Sequence, residues 1–195
     1  MLWHKTAGPI IMASMTDYWL KEPHNMQLSL KKSQHQSLVP RLELTLETKK
    51  YASCYDYTPC ITAEETNGEI KIRSEMELKD MMHQPSDHHV FGCLEYTVTD
   101  HYVKITGVTK ALSNTVPAFI LPVIGKHHMG ISETKEGFMI PRESGVLQIN
   151  ISNKDNIEKP QPIFCLSGGF EAWEFVIKPD ESGMLQVTIQ VEEEK

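Results

Sequence analysis

The sequence predicts an all-β fold, an antiparallel β-sandwich of supersandwich-like proportions with about a dozen strands, and three observations carry that prediction. Period-two alternation of apolar and polar residues recurs along the chain, with β-branched residues enriched in the alternating runs. No stretch of a dozen residues carries a 3.6-residue apolar stripe. Glycine, proline, asparagine and aspartate punctuate the runs at short intervals.

Taken in order, Arg41–Thr48 places Leu42, Leu44 and Leu46 on one face and polar residues on the other, which predicts a half-buried strand. Asn67-Gly68 lies between Ile61–Thr66 and Glu69–Arg73 and predicts a tight hairpin, because both turn residues tolerate positive φ. Tyr96–Thr99 and Tyr102–Thr106 flank Asp100-His101, a second hairpin with weaker turn chemistry. Further strands are expected at Ala118–Ile124, Val146–Ile151, Ile163–Leu166, Trp173–Ile177 and Met184–Val191, with Gly137, Gly145, Gly168-Gly169 and Pro179–Gly183 between them. Asp80–His89, Lys126–Gly130 and Asn153–Pro162 read as loops, and Glu192–Lys195 as a solvated acidic tail.

The chain has 195 residues, 40% hydrophobic and 23% charged, which supports one domain with a full core and excludes disorder as its main description. No repeat or Ser/Gly-rich linker divides it, so residues 1–195 are expected to form a single sandwich. Nineteen basic residues against 26 acidic ones give a net charge of -7, which argues against a nucleic-acid partner. The longest nearly apolar run, Val116–Gly125, is ten residues long and contains two prolines, about half of what a spanning helix needs, so no membrane span is expected. The opening Met1–Pro9 has no secretion signal, and with Trp3 and Pro9–Met15 the chain begins as the downstream piece of a longer protein would.

Among chemistry-bearing residues the histidines stand out. His83, His88 and His89 lie near Asp87 in one loop, and His127-His128 in another. Imidazoles beside a carboxylate suit a borderline metal, yet the spacing matches no compact ligand motif, so no metal is expected and sugar hydroxyls are the better ligands for these loops. Tyr51, Tyr55 and Tyr57 alternate, which would put three rings on one face as a platform for a sugar, although core packing competes for them. Trp3, Trp19, Tyr18 and Trp173 raise the same choice between platform and core. The candidate ligand-binding residues are therefore His88, His89, His127, His128, Tyr55 and Tyr57.

Glu75 with Glu77, or Glu171 with Glu174, could form an acid pair, but all four sit in strand patterns where a polar residue marks the solvent face. No nucleophile elbow, phosphate loop or dinucleotide fingerprint occurs, so neither a catalytic residue nor a cofactor is assigned. Of four cysteines only Cys54 and Cys60 are near neighbours; they could close a small loop in an exported protein, and otherwise remain thiols. Asn150-Ile151-Ser152 fits a glycosylation acceptor but falls inside a predicted strand.

Gly8–Tyr18 and Glu22–Gln27, then Phe91–Asp100 and Phe164–Phe175 with its Gly-Gly turn, resemble the C-terminal β-domain of bacterial polysaccharide-degrading proteins, such as heparinase II/III-like lyases, in which an α/α-toroid carries the catalytic residues. The resemblance implies a non-catalytic accessory sandwich that packs against an upstream catalytic domain and lines one side of a polysaccharide or oligosaccharide cleft. It implies a periplasmic or secreted parent and, once the neighbour is lost, an exposed apolar patch. Two other readings stay open: a self-sufficient, mutarotase-like enzyme using histidine and glutamate as acid and base, with His88 or His128 essential, and a protein-interaction domain with no glycan role.

Overall fold

The computed structural model describes residues 2–11, 38–109, 115–126, 129–166 and 170–192. These residues contain fifteen strands and two single 3-10 turns, Ser53–Tyr55 and Lys154–Asn156, and no α-helix. In chain order the strands are β1 (Leu2–His4), β2 (Gly8–Ile11), β3 (Arg41–Leu46), β4 (Lys49–Ala52), β5 (Cys60–Thr66), β6 (Glu69–Glu77), β7 (Phe91–Val98), β8 (Tyr102–Thr109), β9 (Ala118–Lys126), β10 (Ser132–Glu133), β11 (Gly137–Arg142), β12 (Gly145–Ile151), β13 (Gln161–Leu166), β14 (Phe170–Ile177) and β15 (Met184–Glu192). An eight-stranded sheet runs β10-β11-β12-β15-β8-β7-β6-β5, a five-stranded sheet runs β13-β14-β9-β3-β4, and β1 pairs with β2. The pairings are antiparallel and neither sheet closes into a barrel, so the expected sandwich is the fold observed.

One apolar layer lies between the sheets. Phe119, Leu121 and Val123 of β9, Phe175 and Ile177 of β14, and Leu42 and Leu44 of β3 meet Leu94, Ile105, Ile140, Leu147, Val187 and Ile189 of the larger sheet. Burial alternates strictly in β8 and β12, which is why period two was a sound guide there. In β9 it does not alternate: Phe119 through Gly125 are all buried, on both faces. Its Pro122 is compatible with a strand because β3 pairs only with Ala118–Ile120, leaving β9 with a partner on one side beyond that point.

The hairpin at Asn67-Gly68 forms as expected, with φ of 52° and 79°. At the second hairpin the weak turn chemistry is supplemented by Thr99, whose hydroxyl accepts the backbone N–H groups of His101 and Tyr102. The tyrosine alternation fails. Tyr51 is in the core, and the 3-10 turn that follows resets the chain so that Tyr55 and Tyr57 leave its face. Glu171 also departs from the solvent face expected for it: it is buried, and its carboxylate accepts the indole N–H of the half-buried Trp173 at 2.9 Å. Tyr18 and Trp19 lie outside the described residues.

The close approach of the sheets depends on Gly92, where an added Cβ would lie 2.2 Å from Cδ1 of the fully buried Leu42. Gly92→Ala should therefore force Leu42 off its rotamer and destabilise the protein by about 1–3 kcal/mol, read as a lowered midpoint in urea unfolding. An unchanged midpoint would show that the layers have slack at this contact.

Candidate functional site

A groove of about 890 Å³ opens on the outer face of the larger sheet, where β5, β6, β7 and β8 end and two loops rise beside them. Strand register sets its floor. Cys60 pairs with Glu75, Glu75 with Cys93, and Cys93 with Val108, so these four alternate-face residues form a row across four strands. Phe91 lies two residues before Cys93 on the same face and is 56% exposed, an aromatic surface open to the groove.

Asp56 clasps one wall. It follows the 3-10 turn and is buried; its Oδ1 accepts Lys79 Nζ at 2.8 Å and the Thr58 N–H and hydroxyl at 3.1 and 3.2 Å, while Oδ2 accepts the Glu77 N–H at 2.9 Å. Burial alone would raise this carboxyl, but the bonds from Lys79, Glu77 and Thr58 outweigh it and bring its pKa down from 3.8 to about 2. Ala52 and Lys79 also exchange backbone bonds at 2.8 and 3.2 Å, so the β4–β5 connection is tied to the end of β6 from two sides.

The other wall is the 80–89 loop. Asp80 Oδ1 accepts the Met82 and Gln84 N–H groups at 2.9 Å, and His83 and His89 both adopt left-handed backbone, with φ of 62° and 50°. His83 Nδ1–H donates to the Tyr55 carbonyl at 3.0 Å, and its ring lies 4.0 Å from that of Tyr57. His89 Nδ1–H donates to Glu77 Oε1 at 2.7 Å, which orients the imidazole and leaves Nε2 on the exposed side. On the floor Arg73 grips Glu75 Oε1 through Nη2 at 2.7 Å and Nε at 3.1 Å. Burial and the Glu75 and Glu95 carboxylates push the Cys93 thiol up against the pull of Arg73, so it remains a protonated thiol.

Of the residues expected from sequence, His89 lies in the groove, His88 is exposed next to it, and Tyr55 and Tyr57 gather around His83 at the base of the same loop. His127 and His128 lie outside the described residues. Among the described residues no group of three or more His, Cys, Asp or Glu side chains is placed to hold a metal ion, and Cys54 and Cys60 are thiols with no disulfide between them. Sequence reasoning missed Phe91, Arg73, Asp56 and Lys79 as parts of a site. Their only signal is the strand register that brings them together. The acid pair Glu75 and Glu77 sits on one face as the alternation implies, but Glu75 is held by Arg73 and Glu77 by His89.

The fold is an antiparallel sandwich, and the site it carries is an open groove lined by paired charges and an exposed aromatic ring. The chain is a member of the ulvan lyase C-terminal domain family, whose profile matches residues 1–192. It is 28% identical over 156 residues to a broad-specificity ulvan lyase of Formosa agariphila, a match that covers 76% of this chain and 23% of that protein. The chain thus corresponds to less than a quarter of the relative's length.

The folded pKa of Asp56 lies below its unfolded value, so its contribution is complete above 3.8 and is lost as pH falls toward about 2. Asp56→Asn should lower stability at neutral pH by about 2 kcal/mol and flatten the acid limb of a stability-against-pH curve across that window, with little effect below it. An Asn variant with the wild-type acid limb would mean that the clasp contributes nothing.

Proposed function

We propose that this chain is the accessory, non-catalytic β-sandwich of a polysaccharide lyase, that it packs on an upstream catalytic domain of α/α-toroid, heparinase II/III-like type, and that its groove walls one side of a glycan cleft. The observation that carries this reading is the match of residues 1–192 to a family of ulvan lyase C-terminal domains, with a relative more than three times its length that is an ulvan lyase. The groove supports it chemically: Phe91 offers a ring face, Arg73 offers guanidinium N–H donors, and His89 Nε2, with the ring proton committed on Nδ1 to Glu77, offers an acceptor.

The larger sheet supports docking on a neighbour. The face of β6 that buries Met76 leaves Ile70 and Ile72 exposed, and Ile61 of β5, paired with Ser74 on that same face, is 60% exposed. These strands overhang the smaller sheet and present an apolar strip of the kind an adjoining domain covers.

A second reading is favoured by one observation, the His89–Glu77 pair, in which a carboxylate orients an exposed imidazole as it would a general base. One experiment separates the two. The isolated chain is incubated with ulvan, unsaturated products are followed by ultraviolet absorbance, and ulvan binding is measured in parallel. The accessory reading expects binding without product, and a loss of at least about fivefold in affinity for Phe91→Ala. Turnover that disappears in His89→Ala would establish the enzyme instead, and absence of both binding and turnover would favour a domain with no glycan role.

A further inference from the structure

A second concave surface lies at the other end of β7. Leu2, Ile10, Val98 and Val191 form a small apolar depression of about 60 Å³, and Trp3, His4 and the hairpin tip Asp100-His101 stand around it. Since β7 is eight residues long, this depression is roughly 23 Å from Phe91 at about 3.3 Å per residue. It opens beside Val98, on the opposite face of β7 from Phe91. It is therefore separate from the groove.

Trp3 is 63% exposed, an unusual placement for the largest apolar side chain when an apolar hollow lies beside it. The polar groups around it have bonding capacity to spare. His4 Nδ1 accepts the backbone N–H groups of Thr6 and Ala7, each at 3.2 Å, which fixes the tautomer with the proton on Nε2 and leaves that N–H to donate. Thr99 pins the backbone of the opposing tip. Among the described residues no hydrogen bond or ion pair engages the Asp100 carboxylate, which is left as an acceptor on the rim.

We propose that Trp3, His4 and Asp100 frame a second carbohydrate subsite, one that takes a single uncharged pyranose ring. The indole face meets the C–H face of the sugar, Asp100 accepts from ring hydroxyls, and His4 Nε2–H donates to a hydroxyl oxygen. The Asp100 carboxylate at the rim disfavours a second anion such as a uronate at this position, so the subsite selects a neutral residue by repulsion as well as by contact. The inference rests on the reading of the domain as glycan-facing but not on the groove.

The test is a backbone amide NMR titration of the isolated chain with methyl glycosides of glucose, galactose, xylose and rhamnose, and with glucuronate as the charged probe. At least one neutral glycoside should move the amides of residues 99–102 saturably, with glucuronate at least tenfold weaker. Trp3→Ala should weaken that titration tenfold or more, Asp100→Asn should narrow the discrimination against glucuronate, and Phe91→Ala should leave both unchanged. Failure of every neutral glycoside to move these amides, or an unchanged titration in Trp3→Ala, overturns the subsite. Ulvan-induced shifts at residues 89–93 report on the groove in the same spectra, so either site can fail alone.

Discussion

The rest of the structure depends on a strand whose two faces are both buried. β9 sends Phe119, Leu121 and Val123 into the layer between the sheets, and on its other face Ile120 and Ile124 are also withdrawn from water. Burying side chains of this size is worth about 1.5–3 kcal/mol each relative to exposure, so the position of β9 is strongly determined. The surrounding strands follow from it: β14 pairs along nearly its whole length and β3 along its first turn of residues only. Arg142 then ties β9 to other elements, because its Nη2 donates to the backbone carbonyls of both Ile124 and Pro9. Burial lowers this guanidinium to about 10, so it stays charged at neutral pH, while its Nε and Nη1 make no hydrogen bond. A buried charge held only by carbonyls is a costly way to join a hairpin to a sheet. The joint it makes adds to the burial of Ile10 and Ile11 in setting β1 and β2, and with them Trp3, against the body of the sandwich.

The second determinant is the unequal width of the sheets. Five strands cannot cover eight, and the surplus falls on β5 and β6, where every residue of β5 is exposed. An edge strand so open would be a liability in isolation, and its two adjacent glutamates, Glu64 and Glu65, are the only charges that guard it. The same overhang leaves room beside the strand ends for the two loops that wall the groove. Those loops are not held equally. The Arg73–Glu75 pair is solvated and contributes little to stability, and His89 in the His89–Glu77 pair is exposed, whereas Asp56 is buried and satisfied by four donors. The rigid part of the site is therefore the clasp at its base, and the groups facing solvent can rearrange around a ligand at small cost.

How much of this was legible in the sequence divides along a physical line. Alternation identified β8, β12 and β15 because each has one buried face, and Asn67-Gly68 identified its hairpin because the turn conformation is a local property. The tyrosines misled because alternation holds only while the chain stays extended, and one 3-10 turn at Ser53–Tyr55 ends it. Glu171 misled because a buried carboxylate beside an indole N–H has the same sequence signature as an exposed one. The site was half legible. The 80–89 loop advertised itself through its histidines, but Asp56, Arg73, Phe91 and Val108 come from four separate segments and meet only through strand register. No local rule links them, since register is chosen by the whole buried face of the sheet.

The pairing of charges bears on how such a domain would recognise a polymer. Arg73 faces Glu75 and Lys79 faces Asp56, which leaves Glu77, bonded to a neutral His89, as the one uncompensated carboxylate, so the groove carries little net field. A chain with a net charge of -7 and a nearly neutral groove gains little from long-range electrostatic steering of an acidic polysaccharide. Recognition must then come from short-range contact, with ring faces on exposed aromatics and hydrogen bonds to groups already oriented by a partner. Phe91 beside His89 has that composition, and so does Trp3 beside His4. Each such contact is weak alone, and because the two lie on opposite faces of β7 one straight ligand does not span both, so each would have to be engaged on its own.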